Sequence, residues 1–157
     1  MDTDVSPRAT SHTSITPLTV LVADDDPWIR EVICYVLQDA GHTVLEATGG
    51  DETLDLHRAH PHLVVVLDLL MRHGTGFDVL AAVARDDALA HNHAFVVCTA
   101  HKLRSEDVGP HFAALLQRLG IPFVAKPFDI DELLAAVAAV AERLATRISP
   151  WTASDTA

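Results

Sequence analysis

Four sets of polar residues stand where short apolar runs end, and together their types could carry phosphoryl chemistry. Asp24-Asp25-Asp26 follows the run 18–23, Asp68 follows 63–67, Thr99 closes 94–99, and Lys126-Pro127 follows 121–125. Taken singly each has an ordinary explanation: Asp caps helices and turns, Thr favours strands, and a strand-end Lys is commonly solvated. Their common placement changes the reading. Carboxylates converging on one rim repel one another unless their pKa values rise or a cation sits between them. Magnesium suits such a rim, because it prefers octahedral oxygen coordination and accepts one or two carboxylates beside waters and a phosphoryl oxygen. The Lys charge and the Thr hydroxyl suit the remaining oxygens of a phosphoryl group. Carboxylate nucleophile, metal, lysine and hydroxyl together describe phosphoryl transfer to an aspartate.

The elements that must position these residues alternate between short apolar runs and amphipathic segments, the pattern of consecutive βα units around a parallel sheet. Strands are expected at 18–23, 43–47, 63–67, 94–99 and 121–125. The third is a continuous Val and Leu run, as a strand buried on both faces requires. A first helix begins at Pro27 behind Asp26 as cap and carries Ile29, Ile33, Val36 and Leu37 on one face; Gly41 ends it. Helices are also expected at about 51–60, where Leu54 and Leu56 are apolar, and at 76–85. A fourth covers about 108–119, with Gly109-Pro110 as its true start and Gly120 as its C-cap. The last follows Phe128, with Asp129, Asp131 and Glu132 at its N-terminal end and Leu133, Val137, Val140 and Leu144 as its buried stripe. The expected fold is α/β: a doubly wound five-stranded parallel sheet flanked by five helices. In such a sheet ligands bind outside the carboxyl ends of the strands, where strand order reverses.

At 157 residues the chain fits one domain, expected as a flexible leader at 1–17, a folded unit at 18–147 and a tail at 148–157. It is 49% hydrophobic with a net charge of −11, so it carries no basic footprint for nucleic acid or an anionic membrane. The start Met1-Asp2-Thr3-Asp4 is unlike a signal peptide, and the longest fully apolar run, 133–141, is far short of the roughly 20 residues that span a bilayer. A cytoplasmic location is expected. Cys34 and Cys98 read as small buried hydrophobes. Ten histidines raise the question of a metal cluster, but His57, His60, His62, His91 and His93 lack evident further ligands and are expected at the solvated surface.

From Leu18 to about Leu144 the chain resembles a response-regulator receiver domain of two-component signalling, CheY-like and stand-alone. The resemblance rests on 20-VLVADDDP-27, 66-VLDLLM-71, Thr99-Ala100 and Lys126-Pro127-Phe128, in that order. It implies a flavodoxin-like sheet of strand order 2-1-3-4-5, that Asp68 is the phosphoacceptor, and that Asp25, Asp68 and the Leu70 carbonyl hold Mg2+, with Asp24 acting through a water. It also implies that Thr99 is the switch hydroxyl, Lys126 the phosphoryl-binding lysine, Phe123 the aromatic that follows the switch, and Lys126-Pro127 a cis peptide. Leu70 and His101, two residues beyond Asp68 and Thr99, would govern the water that attacks the acyl phosphate. The implied partners are a sensor histidine kinase or a histidine phosphotransfer protein, and a downstream protein target docking on the face made by the fourth helix, fifth strand and fifth helix. A homodimer stays open.

Two departures stand out. Arg72 occupies the place of the family's usual proline four residues after the phosphoacceptor, and Thr75 stands where an acid normally precedes the loop glycine, here Gly76. Twenty-seven positions separate Thr99 from Lys126, more than the family pattern, which places extra length in the loop 101–109. Trp28 is expected to cover the rim of the acidic cluster. The alternative function is a pseudo-receiver that uses the same surface as an interaction module without being phosphorylated, against which the intact Asp24, Asp25, Asp68, Thr99 and Lys126 argue. A flavin phosphate would be repelled by three acids after the first strand, and a phosphohydrolase would usually carry an acid where Leu70 stands.

Overall fold

A computed structural model describes residues 16–100 and 109–149. The leader before residue 16, His101, most of the loop 101–109 and the tail beyond residue 149 lie outside the described residues. The chain runs β1 (Thr19–Ala23), α1 (Pro27–Asp39), β2 (Thr43–Ala47), α2 (Gly50–Ala59), β3 (Val64–Leu67), α3 (Gly76–Ala84), α4 (Asp87–Asn92), β4 (Ala94–Ala100), α5 (Pro110–Leu119), β5 (Phe123–Lys126) and α6 (Ile130–Ile148). The five strands form one parallel sheet of order β2-β1-β3-β4-β5, as expected.

Side chains alternate across each strand, so each strand feeds two apolar layers. Val20, Val22, Val64, Val66, Val96, Cys98 and Val124 face α1 and α6, where they meet Ile33, Leu37, Leu133, Val137 and Val140. Leu21, Ala23, Val65, Leu67, Phe95 and Val97 face the other way, against Val79, Leu80 and Val83 of α3 and Leu116 of α5. Burying a Val or Leu completely stabilises by about 1.5–3 kcal/mol. The sheet is therefore fixed in register from both faces. Both cysteines are buried and free, and burial pushes their thiols up to about 11 for Cys34 and about 12 for Cys98.

Among the described residues six helices form instead of the expected five. The addition is α4, six residues long and without a buried side chain, too short for an apolar period to show. It forms because Asp86 caps it, its carboxylate accepting from the Ala88 and Leu89 amides. Helix α2 also departs from its apolar reading. Its buried positions are Gly50, Thr53 and His57, while Leu54 and Leu56 are only partly buried. Strand β5 starts two residues late at Phe123, after Pro122, whose carbonyl accepts from the Val97 amide. Helix α5 does begin at Pro110, and Gly120 ends it in the left-handed conformation at φ 64°. Among the described residues no helix is long and apolar enough to cross a membrane.

Parallel strands put all their carboxyl ends on one edge, and register decides which residues meet there. Strand order reverses between β1 and β3, where Ala23 pairs with Leu67. The ladder continues one step past both strands, because the Asp68 amide donates to the Ala23 carbonyl at 2.9 Å and the Asp24 amide to Ala47 at 3.1 Å. Asp24 and Asp68 are thereby seated side by side at the crevice that this class of sheet uses for ligands.

Candidate functional site

Asp68 is 6% exposed, and its two oxygens are held from different strands. Oδ1 accepts from the Leu70 amide at 3.1 Å and from Thr99 Oγ1 at 2.8 Å; Oδ2 accepts from Lys126 Nζ at 3.2 Å. Asp24, 2% exposed, accepts from the Asp26 amide on Oδ1 and from Lys126 Nζ on Oδ2. Lys126 thus bridges the two buried acids, and its backbone continues into a cis bond to Pro127, as expected. Burial pushes the Asp24 carboxyl above its ordinary range, against the pull of Lys126. Burial also acts to lower Lys126, but the hydrogen bond to Asp24 and the charges of both acids outweigh it and hold the ammonium above its usual value.

Asp25, Asp24 and Asp68 each offer a carboxylate oxygen within 4.8 Å of the others. Asp26 stands apart from this group. It caps α1, accepting from the Trp28 amide at 2.9 Å and the Ile29 amide at 3.3 Å. Among the described residues the three clustered acids form the one set of three or more side chains able to hold a metal ion. Their hard oxygen donors match Mg2+, and the Leu70 backbone, tied to Asp68 through its amide, is close by.

Thr99 pairs with Ala125 and Val97 with Phe123, so Thr99 and Phe123 share one face of the sheet, two residues apart in register. Phe123 is half-buried against the layer that contains Val97 and Leu116. Leu70 is 52% exposed and Trp28 77% exposed, both at the rim.

Three features of the site lay beyond the sequence reading. Arg72, noted only as a missing proline, donates to Asp25 Oδ2 from its amide at 3.1 Å and from Nε at 3.0 Å. Arg30 Nη1 reaches the Asp24 carbonyl at 2.8 Å while its Nε pairs with Glu46. Glycine supplies the third: a Cβ on Gly76 would sit 2.3 Å from the Asp68 carbonyl oxygen, and one on Gly49 2.3 Å from the His73 carbonyl oxygen. Both glycines let helix starts press against the loop that follows Asp68. Thr75, the other departure, is the N-cap of α3 and forms a capping box with Asp78.

The histidines correct an expectation. His57 and His93 are buried, with ring centroids 3.7 Å apart, whereas His62 and His91 are exposed as expected and His60 is half-buried. His93 Nδ1 accepts from the Leu63 amide at 3.1 Å, while among the described residues neither ring nitrogen of His57 has a hydrogen-bond partner. Burial drives both rings toward the neutral form, with pKa values lowered to about 4 for His57 and about 3 for His93.

The family model described as the response regulator receiver domain matches residues 20–138. The chain belongs to the response-regulator receiver family. This receiver domain is 30% identical over 139 residues to the probable transcriptional regulatory protein TcrX of Mycobacterium tuberculosis, covering 81% of this chain and 51% of TcrX. It is 29% identical over 126 residues to the phosphate regulon transcriptional regulatory protein PhoB of Klebsiella pneumoniae, covering 80% and 52%. The receiver domain spans about half the length of these curated relatives. Among solved structures, a CheY-like receiver domain protein from Methanospirillum hungatei superposes with a TM-score of 0.69 at 26% identity, covering 82% of this chain and 97% of that one. Receiver domains use Mg2+ at an acidic pocket, and the three clustered aspartates supply one here.

Proposed function

We propose that this receiver domain accepts a phosphoryl group on Asp68 from the phosphohistidine of a sensor kinase or phosphotransfer protein, in a Mg2+-dependent reaction, and signals through a phosphorylation-dependent protein contact. The observation that carries this reading is the buried Asp68 carboxylate bridged to Asp24 by Lys126 and held by Thr99 at the switch point of the sheet. In the transfer an Asp68 carboxylate oxygen bonds to phosphorus as the phosphorus–nitrogen bond of the donor breaks, and the imidazole leaves with the electron pair of that bond. Lys126, already drawn to Asp68, is placed to stabilise the phosphoryl oxygens, and Thr99 can turn its hydroxyl from the carboxylate to the same oxygens. Asp24, Asp25, Asp68 and the Leu70 carbonyl would hold the Mg2+. When bound, the ion supplies positive charge against the phosphoryl oxygens and orients them.

The donor must reach a rim that carries exposed apolar side chains beside the acidic centre. Trp28, Val32 and Tyr35, at i, i+4 and i+7 on α1, are 77%, 50% and 69% exposed, and Leu70 and Ile130 are exposed nearby in sequence to Asp68 and Lys126. Such a stripe suits the apolar face of a partner helix. On the output side, Thr99 and Phe123 share a face of β4 and β5, and a phosphoryl group adding about −2 of charge would bias both toward a second arrangement. The surface they border is made by α5, β5 and α6. The net charge of −11 favours a protein target over nucleic acid.

The test is intact-mass analysis after incubation with Mg2+ and acetyl phosphate. One phosphoryl adduct is expected, absent from Asp68→Asn and absent when a chelator replaces the metal. A folded protein that takes no adduct from acetyl phosphate or from any phosphohistidine donor overturns the reading and leaves the pseudo-receiver.

A further inference from the structure

Lys126 holds two of the three clustered carboxylates; the third, on Asp25, is held by Arg72. Both donors of Arg72 converge on one oxygen, Asp25 Oδ2, the amide at 3.1 Å and Nε at 3.0 Å. The amide bond fixes the loop and any residue but proline at position 72 could make it. The guanidinium bond is particular to arginine. Its side chain is 79% exposed and, among the described residues, has no other ion-pair partner, whereas the Asp25 side chain is only 17% exposed.

The charges decide the consequence. Three carboxylates with Lys126 and Arg72 leave the rim near −1; without the guanidinium it stands near −2. A divalent cation approaching Asp25 therefore meets less negative charge, and to use Oδ2 it must displace or share the Nε bond. An exposed arginine–carboxylate pair is worth up to about 1 kcal/mol, which corresponds to a factor of about five in affinity. The loss of like-charge repulsion between guanidinium and metal adds to this in the same direction.

We infer that Arg72 is a positioning residue that holds Asp25 in the cation-free state and thereby weakens the affinity of the acidic rim for Mg2+. The inference rests on the assignment of Asp24, Asp25 and Asp68 as the metal site. With Arg72 in place, metal occupancy responds to a higher range of free Mg2+ than the bare acids would give, and the residue that displaces the family's usual proline becomes a determinant of when the domain is competent.

Calorimetric titration of the full chain with Mg2+ tests this. Arg72→Gln and Arg72→Ala keep the backbone amide and remove the guanidinium, and both are expected to bind Mg2+ about three- to tenfold more tightly than the wild type. The difference should shrink at high salt, where the exposed charges are screened. Wild-type binding that is unchanged or weakened in both variants overturns the role of Arg72 and leaves the metal site standing. No binding by the wild type or either variant, with folding confirmed by circular dichroism, overturns the metal site itself and the inference with it. Asp25→Asn serves as the control that must lose affinity.

Discussion

Thr99 Oγ1 donates to Asp68 Oδ1 at 2.8 Å, joining β4 to the residue just past the end of its neighbour β3, and both residues are almost inaccessible to solvent. The hydroxyl has one proton to give, so it can serve the bare carboxylate or a phosphoryl oxygen on it, not both. Thr99→Val keeps the shape and removes the donor. The variant is expected to lose about 1–3 kcal/mol of unfolding free energy, because a charge-assisted bond in the interior is gone. It should also uncouple the output face: amide chemical shifts of α5, β5 and α6 that move when the wild type is treated with Mg2+ and beryllofluoride should stay put. Wild-type-like shifts in the variant would remove Thr99 from the switch.

Leu70 donates its amide to Asp68 Oδ1 while its side chain stands half in solvent. An apolar side chain cannot orient the water that would hydrolyse an acyl phosphate. Leu70→Asn supplies a carbonyl and an amide at that place and is expected to shorten the lifetime of the adduct. The decay of the phosphorylated mass after removal of acetyl phosphate measures it, and an equal or longer lifetime contradicts the assignment.

Gly76 begins α3 with the space for its missing Cβ filled by the Asp68 carbonyl oxygen at 2.3 Å and the Leu69 Cα at 2.8 Å. Two effects oppose each other in Gly76→Ala. Alanine gains at most about 1 kcal/mol of helix propensity, and less at a first-turn position; forcing a methyl against strand-end backbone costs about 1–3 kcal/mol. The clash should win. Urea unfolding is expected to show net destabilisation, together with a slower Asp68 phosphorylation rate, because the atoms that must give way belong to the phosphoacceptor's own backbone.

The buried pair His57 and His93 predicts acid sensitivity. In the unfolded chain a histidine titrates near 6.5; folded, burial lowers these two to about 4 and about 3. Because the folded values are depressed, the unfolded state binds protons first, so their contribution is whole above pH 6.5 and declines as pH falls toward the folded values. At pH 5 each ring forfeits roughly 2 kcal/mol on that basis. Arg58, Asp86, His62 and Arg147 act on the pair as weaker neighbours. His57→Leu should therefore lose less stability than the wild type between pH 7 and pH 5 in urea unfolding. An identical pH slope in the two proteins would place the sensitivity elsewhere.

The parallel sheet and the placing of Asp24, Asp25, Asp68, Thr99 and Lys126 on its rim were legible in the sequence for one reason, whereas the strand order came with the receiver resemblance. Each strand is a short run of buried Val and Leu, and the residue that ends the run inherits its place on the rim. The caps were legible too: Asp26, Pro27, Pro110 and Gly120 act through their own backbone neighbourhood, which is local information. What depended on distant residues was not. Helix α4 is one capped stretch too short to show a period, and β5 begins only at Phe123 although the Pro122 carbonyl before it already accepts from the Val97 amide of β4.

The same division runs through the site. Side-chain type told which atoms could bind a metal and a phosphoryl group, because that chemistry belongs to the residue itself. Only tertiary structure decided that Arg72 lies on Asp25, 47 positions away, that Gly76 and Gly49 are the spaces through which helix starts reach the loop after Asp68, and that His57 and His93 are enclosed. An arginine, a glycine or a histidine carries no mark of its surroundings in the sequence. Its role is set by which surface the packed layers bring against it.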